Sequence, residues 1–177
     1  MPEIGLMGGS FNPIHRGHVA LARAALDSGK VERVLFLPTG NPPHKREGLA
    51  DKFDRLRMVE LAVAHEAGMA VCREEIDRGG VIYTVDTLAA LKRKMPDCTL
   101  TYLIGADTLR ELLTWRDPPR LFGLCTFAAF GRSGCAWPEA PEGARVVRLE
   151  AEIPGVSSTE IRRRVAAGLS VEGMTPQ

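Results

Sequence analysis

The sequence predicts an α/β protein built on a doubly wound parallel sheet. Three observations carry that reading. Short apolar runs alternate with helix-period stretches from one end of the chain to the other. Neither an internal repeat nor a linker divides the chain into halves. The 177 residues are enough for one domain with its own core. Strand–helix alternation at this spacing builds βαβ units, whose strands pair in parallel and whose helices cover both sheet faces.

The elements follow in order. EIGLM, residues 3–7, reads as a buried strand. HVALARAALDSG reads as a helix with Val19, Ala22 and Leu26 on one face and Gly29 as its stop. RVLFLP is the second strand, and TGNPPHKREGLA is a loop punctuated by Gly40, Pro42 and Pro43. DKFDRLRMVELAVAHEAG is the second helix, apolar at Phe53, Leu56, Val59 and Val63, and MAVC is a short strand. TVDTLAALKRKMP is a helix ended by Pro96, TLTYLIGA a strand, DTLRELLTW a helix and CTFAAFG a strand. A Gly/Pro-rich loop, RSGCAWPEAPEGA, leads to a strand, RVVRLE, and a last helix, SSTEIRRRVAAG, closed by Gly168. The whole of 1–177 reads as one Rossmann-like domain.

Composition excludes some functions. With 23 basic and 22 acidic residues the net charge is +1, which gives no support to a nucleic-acid or membrane-surface partner. No apolar run is long enough to span a bilayer, and MPEIGLMGG has neither the basic nor the long apolar region of a signal peptide. The four cysteines, Cys72, Cys98, Cys125 and Cys135, are not in C-x-x-C spacing. A cytoplasmic protein is expected. Oligomeric state cannot be read from these features.

Ligands of such sheets sit beyond the carboxyl ends of the strands, so the loop after the first strand comes first. There GGSFNPIHRGH places Gly8 and Gly9 at the strand end, with His15 and His18 in the first turn of the next helix. The glycines are expected to turn the chain sharply and let it approach a ligand. A helix start offers free N–H groups and partial positive charge to a phosphate. Residues three apart share a helix face. Two imidazoles there suit a bound anion, and Gly17 is explained if the ligand needs the space of its missing side chain. Neither G-x-G-x-x-G nor G-x-x-x-x-G-K-[ST] is present, which disfavours hydride transfer and P-loop chemistry. The alternatives are surface histidines beside a structural turn, and a metal pair, for which no further ligand cluster stands nearby.

A second phosphate signal lies in GVSSTEIRRR. Ser157 and Glu160 fit a capping box, yet Arg162 stands early in the helix, where the helix dipole disfavours a cation. An anion at that helix start resolves the conflict. Arg163 and Arg164 fan away from it.

These two segments resemble the H-x-G-H and Ser-Ser-Thr-x-x-Arg signatures of the nucleotidylyltransferase superfamily. With PPHK, YTVDTL, YLIGADTL and Trp115-Arg116, nearly the whole chain, from about Met7 to about Gly168, resembles the bacterial nicotinate-nucleotide adenylyltransferases. The resemblance implies transfer of AMP from ATP to nicotinate mononucleotide, with Mg²⁺ carried mainly by the ATP phosphates. His15, His18 and Arg162 would be the catalytic groups. ATP would be held by Gly8, Gly9, Ser10 and Phe11 of the first loop, Gly105 and Asp107 after the strand YLIG, and Ser157, Ser158 and Thr159 at the last helix. The mononucleotide would meet Asn41, Lys45, Tyr83, Thr84, Trp115 and Arg132, with Trp115 stacking on its pyridine ring.

Each of these has a plainer reading. Lys45 can be a solvated loop lysine, Asp107 an N-cap, and Trp115 partly buried packing. Ser10 and Asn12 stand where many relatives carry Thr and Asp. GRSGCAW replaces the usual Arg-Pro-Gly run, which leaves Arg132 an open assignment. The chain also ends at GMTPQ, where relatives usually continue into a closing helix, so a truncated end is expected. Other acceptors, such as nicotinamide mononucleotide or phosphopantetheine, and a non-catalytic nucleotide sensor stay open at this stage.

Overall fold

The computed structural model describes residues 1–42, 48–132 and 134–176. Its strands are β1 Glu3–Gly9, β2 Arg33–Pro38, β3 Met69–Val71, β4 Thr99–Gly105, β5 Thr126–Gly131 and β6 Val146–Glu150. They form one sheet in the order β3-β2-β1-β4-β5-β6, and every pairing is parallel. The helices are α1 Arg16–Asp27, α2 Lys52–Val63, α3 Glu74–Asp77, α4 Thr84–Lys94, α5 Pro118–Leu124 and α6 Ser158–Ala166. A 3₁₀ segment spans Ala106–Thr114. None of the described helices is long and apolar enough to cross a membrane.

Because side chains alternate along a strand, the sheet builds two cores. Leu6, Tyr102, Ile104, Phe127 and Ala129 point to one face and pack against Val85, Leu88 and Leu91 of α4 and Leu121 and Phe122 of α5. Met7, Phe36, Leu103, Ala128 and Phe130 point to the other face, where α1 supplies Ala22 and Ala25 and α2 supplies Val59 and Val63.

The strand order reverses between β1 and β4, and the two strands part there. They pair only from Glu3↔Thr99 to Leu6↔Tyr102. Beyond that register β1 continues with β2 as far as Gly9↔Pro38, and β4 with β5 as far as Gly105↔Phe130. This is the switch point, where an open α/β sheet binds its ligand.

Several expectations change. β1 runs through Gly8 and Gly9, so neither glycine makes the turn. The left-handed residue is Phe11, at φ 45°. A side chain on Gly8 would collide with the Tyr102 hydroxyl, and one on Gly9 would crowd the Phe11 ring. The space at Gly17 is filled by the His15 ring and the Pro154 carbonyl, so the glycine serves internal packing. Phe53 is 55% exposed, and α2 buries Arg55 in its place. DTLRELLTW winds as 3₁₀, and the short helices α3 and α5 were not anticipated.

At the carboxyl end, Arg16 N–H donates to Met174 O at 3.0 Å and the Arg16 guanidinium to Gly173 O at 3.3 Å. The last described residues thus return to the start of α1.

Candidate active site

The loop from Ser10 to Ile14 leaves β1 and carries the chain into α1. Phe11 drops its ring into the core, edge-on to His18 at 5.0 Å and tilted against Phe36 at 5.7 Å. Its contribution to a ligand is therefore limited to backbone. His15 is the N-cap of α1 and His18 lies one turn on. Their rings stack 3.7 Å apart with 26° between planes.

The His15 backbone N–H donates to His18 Nδ1 at 3.2 Å. An accepting Nδ1 assigns the proton of neutral His18 to Nε2. Burial, reinforced by neighbouring His15, pulls the His18 pKa down to about 3. Burial also lowers that of His15. Both rings are neutral at pH 7 in the free protein. Buried His15 Nδ1 has no hydrogen-bond partner among the described residues.

The second signature reaches the same loop. Ser157 caps α6, its Oγ accepting from Glu160 N–H at 3.2 Å. The expected capping box closes on this side only, because the Glu160 carboxylate pairs with Arg163 at 2.8 Å. Ser158 Oγ donates to Pro13 O at 2.8 Å, and Arg162 Nη1 donates to Asn12 O at 2.8 Å. Arg162 Nη2 also reaches Thr159 Oγ1 at 3.4 Å. The structure thus brings the Ser-Ser-Thr-x-x-Arg segment against the β1–α1 loop. Ser158 spends its hydroxyl proton on that contact. Arg163 is solvent-facing, as expected, whereas Arg164 holds Ser170 O at 2.8 Å.

The other sheet face supplies the remaining residues. Tyr83 is the N-cap of α4 without a side-chain cap, and Thr84 is the first helical residue. The Tyr102 phenol lies between the two halves, against Gly8 on one side and near Thr84 on the other, its pKa raised by burial. Trp115 meets Tyr102 edge-on at 5.8 Å and is half-buried against the α4-side core. The Arg116 guanidinium lies over the Tyr83 ring at 4.6 Å.

Gly105 and Asp107 are exposed at the end of β4, and nothing would crowd a side chain at Gly105. Asn41 is exposed beyond β2, its carbonyl accepting from Ile82 N–H at 3.4 Å. Arg132 is exposed after β5. Lys45 lies outside the described residues.

Sequence reasoning missed two groups. Buried Arg55 ties the ends of β1 and β2 together. Buried Glu75 of α3 accepts from Thr87 Oγ1 of α4 at 2.9 Å, its carboxyl pushed up by burial. An arginine where the α2 pattern turns inward is the one signal that marked the first.

A three-layer fold with two phosphate-suited helix starts meeting at its switch point defines a nucleotidyltransferase. The chain belongs to the cytidylyltransferase-like family, whose model matches residues 6–164. Among its relatives, a "probable nicotinate-nucleotide adenylyltransferase" of Thermus thermophilus is 44% identical over 175 residues, covering 99% of this chain and 92% of the relative. One of the same name from Exiguobacterium sibiricum is 39% identical with the same coverage. Among solved structures, a Plasmodium falciparum nicotinic acid mononucleotide adenylyltransferase complexed with NaAD superposes with a TM-score of 0.78 at 16% identity, covering 97% of this chain and 87% of that one. The same enzyme complexed with APC gives 0.75 at 17% identity, with the same coverage. At these identities the superpositions establish the shared fold.

Proposed function

We propose that this enzyme transfers AMP from ATP to nicotinate mononucleotide, releasing pyrophosphate and forming nicotinate adenine dinucleotide for NAD biosynthesis. The observation that carries the reading is the junction of α6 with the β1–α1 loop through Ser158 and Arg162. It brings Arg162 to the loop that leads into His15 and His18, the arrangement this reading uses to hold a triphosphate. Named relatives at 39–44% identity over nearly the full chain support the acceptor.

In the reaction, an oxygen of the mononucleotide's 5′-phosphate attacks the α-phosphorus of ATP in line. The bond from that phosphorus to the bridging oxygen breaks, and the electron pair leaves with pyrophosphate. No covalent enzyme intermediate forms. The protein contributes positioning and charge stabilisation. Neutral His18 donates through Nε2–H, His15 lies beside it, and Arg162 turns from Asn12 O toward the phosphates. Gly8 to Phe11, Gly105, Asp107 and Ser157 to Thr159 form the nucleotide side. Asn41, Lys45, Tyr83, Thr84, Trp115 and Arg132 form the acceptor side.

Among the described residues no three His, Cys, Asp or Glu side chains gather at metal-binding distance. In this reading Mg²⁺ would enter with the substrate phosphates and waters. When bound, the ion neutralises phosphate charge. Cys72, Cys98, Cys125 and Cys135 are all free thiols, which suits a cytoplasmic setting.

Pyrophosphate release, measured with ATP, Mg²⁺ and each candidate acceptor, tests the reading. Turnover with nicotinate mononucleotide is expected. ATP binding without turnover on any acceptor would make the protein a nucleotide sensor.

A further inference from the structure

Arg55 of α2 is the largest fully buried side chain, at 1% exposure. Its guanidinium donates to four acceptors: Nε to Ala50 O at 3.0 Å, Nη1 to Ser10 O at 2.8 Å and Thr39 Oγ1 at 3.4 Å, and Nη2 to Gly40 O at 3.3 Å. None is a carboxylate. Among the described residues no ion pair includes Arg55; Asp51, the nearest acidic influence, spends its carboxylate capping α2 through Phe53 N–H at 2.8 Å.

Filling the space would need only an apolar side chain. Reaching acceptors on three chain segments at once takes the planar fork of a guanidinium. The segments are the loop after β1, the loop after β2, and the stretch that enters α2. Asn12 reinforces the same junction, donating from Nδ2 to Gly48 O at 3.0 Å and accepting at Oδ1 from Ala50 N–H at 3.2 Å. On its other side the Asn12 carbonyl accepts from Arg162. A chain of contacts thus runs from α6, through residues 10–12, to both ends of the β2–α2 loop. From beyond, Gly40 abuts the backbone of Glu75, leaving no room for a side chain.

We propose that Arg55 is a positioning residue for the acceptor half of the site. It fixes residues 39–40 and 48–50 against residues 10–12, so that the acceptor phosphate lies in line with the α-phosphorus held by the nucleotide half. This rests on the adenylyl-transfer reading above. Arg55 touches no substrate and acts through Ser10, Thr39, Gly40 and Ala50.

Steady-state kinetics of Arg55→Met, Arg55→Lys and Asn12→Ala, with melting temperatures, test the proposal. In Arg55→Met, KM for nicotinate mononucleotide should rise at least tenfold and kcat fall at least tenfold, with KM for ATP moving less than threefold. Arg55→Lys restores the charge without the fork and should leave the acceptor KM raised at least threefold; full rescue by lysine overturns the positioning role. If Arg55→Met does not fold, Asn12→Ala loosens the same junction without unburying a charge, and should raise the acceptor KM at least threefold. An unchanged acceptor KM in a folded variant, or equal rises for both substrates, overturns the proposal. Should wild type itself fail to use nicotinate mononucleotide, the acceptor reading fails, and amide exchange reads the junction. Arg55→Lys should then exchange faster than wild type at residues 39–41 and 48–50; equal exchange overturns it.

Discussion

Burial, and for His18 also the His15 ring stacked 3.7 Å away, disfavours protonation of the two imidazoles. In the folded state His15 and His18 both have lowered pKa values, His18 at about 3, against about 6.5 in an unfolded chain. Between those values the unfolded state binds more protons, so stability is fully present above about pH 6.5 and is lost as pH falls toward 3. Urea midpoints at pH 7.5 and 5.0 should therefore differ, with His18 contributing roughly 2 kcal/mol of unfolding free energy and His15 adding in the same direction. His18→Gln should shrink that difference; an unchanged difference removes His18 as its source. Glutamine also retains a donor near the place of Nε2, so its kcat should exceed that of His18→Ala. The two histidines were legible because helical spacing alone places them together. Arg55 was not, because its acceptors are backbone groups of loops that meet only in the fold. Gly17 was read as room for a ligand, but the occupant is the His15 ring, a contact spacing does not reveal.

At the level of elements, α6 shows how a helix start is aimed. Its cap is local, Ser157 to Glu160 N–H, whereas its docking is long-range, through Ser158 and Arg162 on the β1–α1 loop. Arg162→Ala should lower kcat by about 10²–10³, the usual cost of losing a donor to developing charge, with an intact circular dichroism spectrum. Arg164→Ala frees only Ser170 O and partner Glu160, and should keep turnover within threefold of wild type. A near-wild-type kcat in folded Arg162→Ala would return this arginine to a docking role. The long strands were readable because parallel strands buried on both faces are apolar throughout. α5 was hidden by its Pro-Pro start and interior glycine, though proline suits a first helical turn. In the 3₁₀ segment, side chains three apart eclipse. Leu109 and Leu112 are buried together while Leu113, on the inner face of an α-helical reading, is 63% exposed.

Across the whole molecule, the sheet separates the tasks. The face covered by α1 and α2 carries the histidines, and the face covered by α4 and α5 carries Thr84 and Trp115. They meet only at the splayed ends of β1 and β4, where Tyr102 lies against Gly8 and Thr84 together. Acceptor choice then depends on what the α4 side offers the ring substituent. Tyr83 leaves the first amides of α4 without a side-chain cap, and Arg116 adds a cation over the Tyr83 ring. The uncapped amides and the Arg116 guanidinium are donors, while the Asp86 carboxylate of the same turn is paired with Arg120 at 3.6 Å. A carboxylate satisfies donors, whereas a carboxamide turns its NH₂ against some of them and leaves groups unpaired, at about 1–3 kcal/mol each. That corresponds to at least a tenfold preference for the acid in kcat/KM. Trp115 meets Tyr102 edge-on, and in the proposed reaction it would hold the pyridine ring flat. Trp115→Ala should raise KM for nicotinate mononucleotide at least tenfold and KM for ATP less than threefold. Measuring kcat/KM with nicotinate and nicotinamide mononucleotides, in wild type and in Trp115→Ala, separates the two claims. Equal efficiency on acid and amide in wild type would sink the donor site, and an unmoved mononucleotide KM in the variant would leave Trp115 as packing against Tyr102.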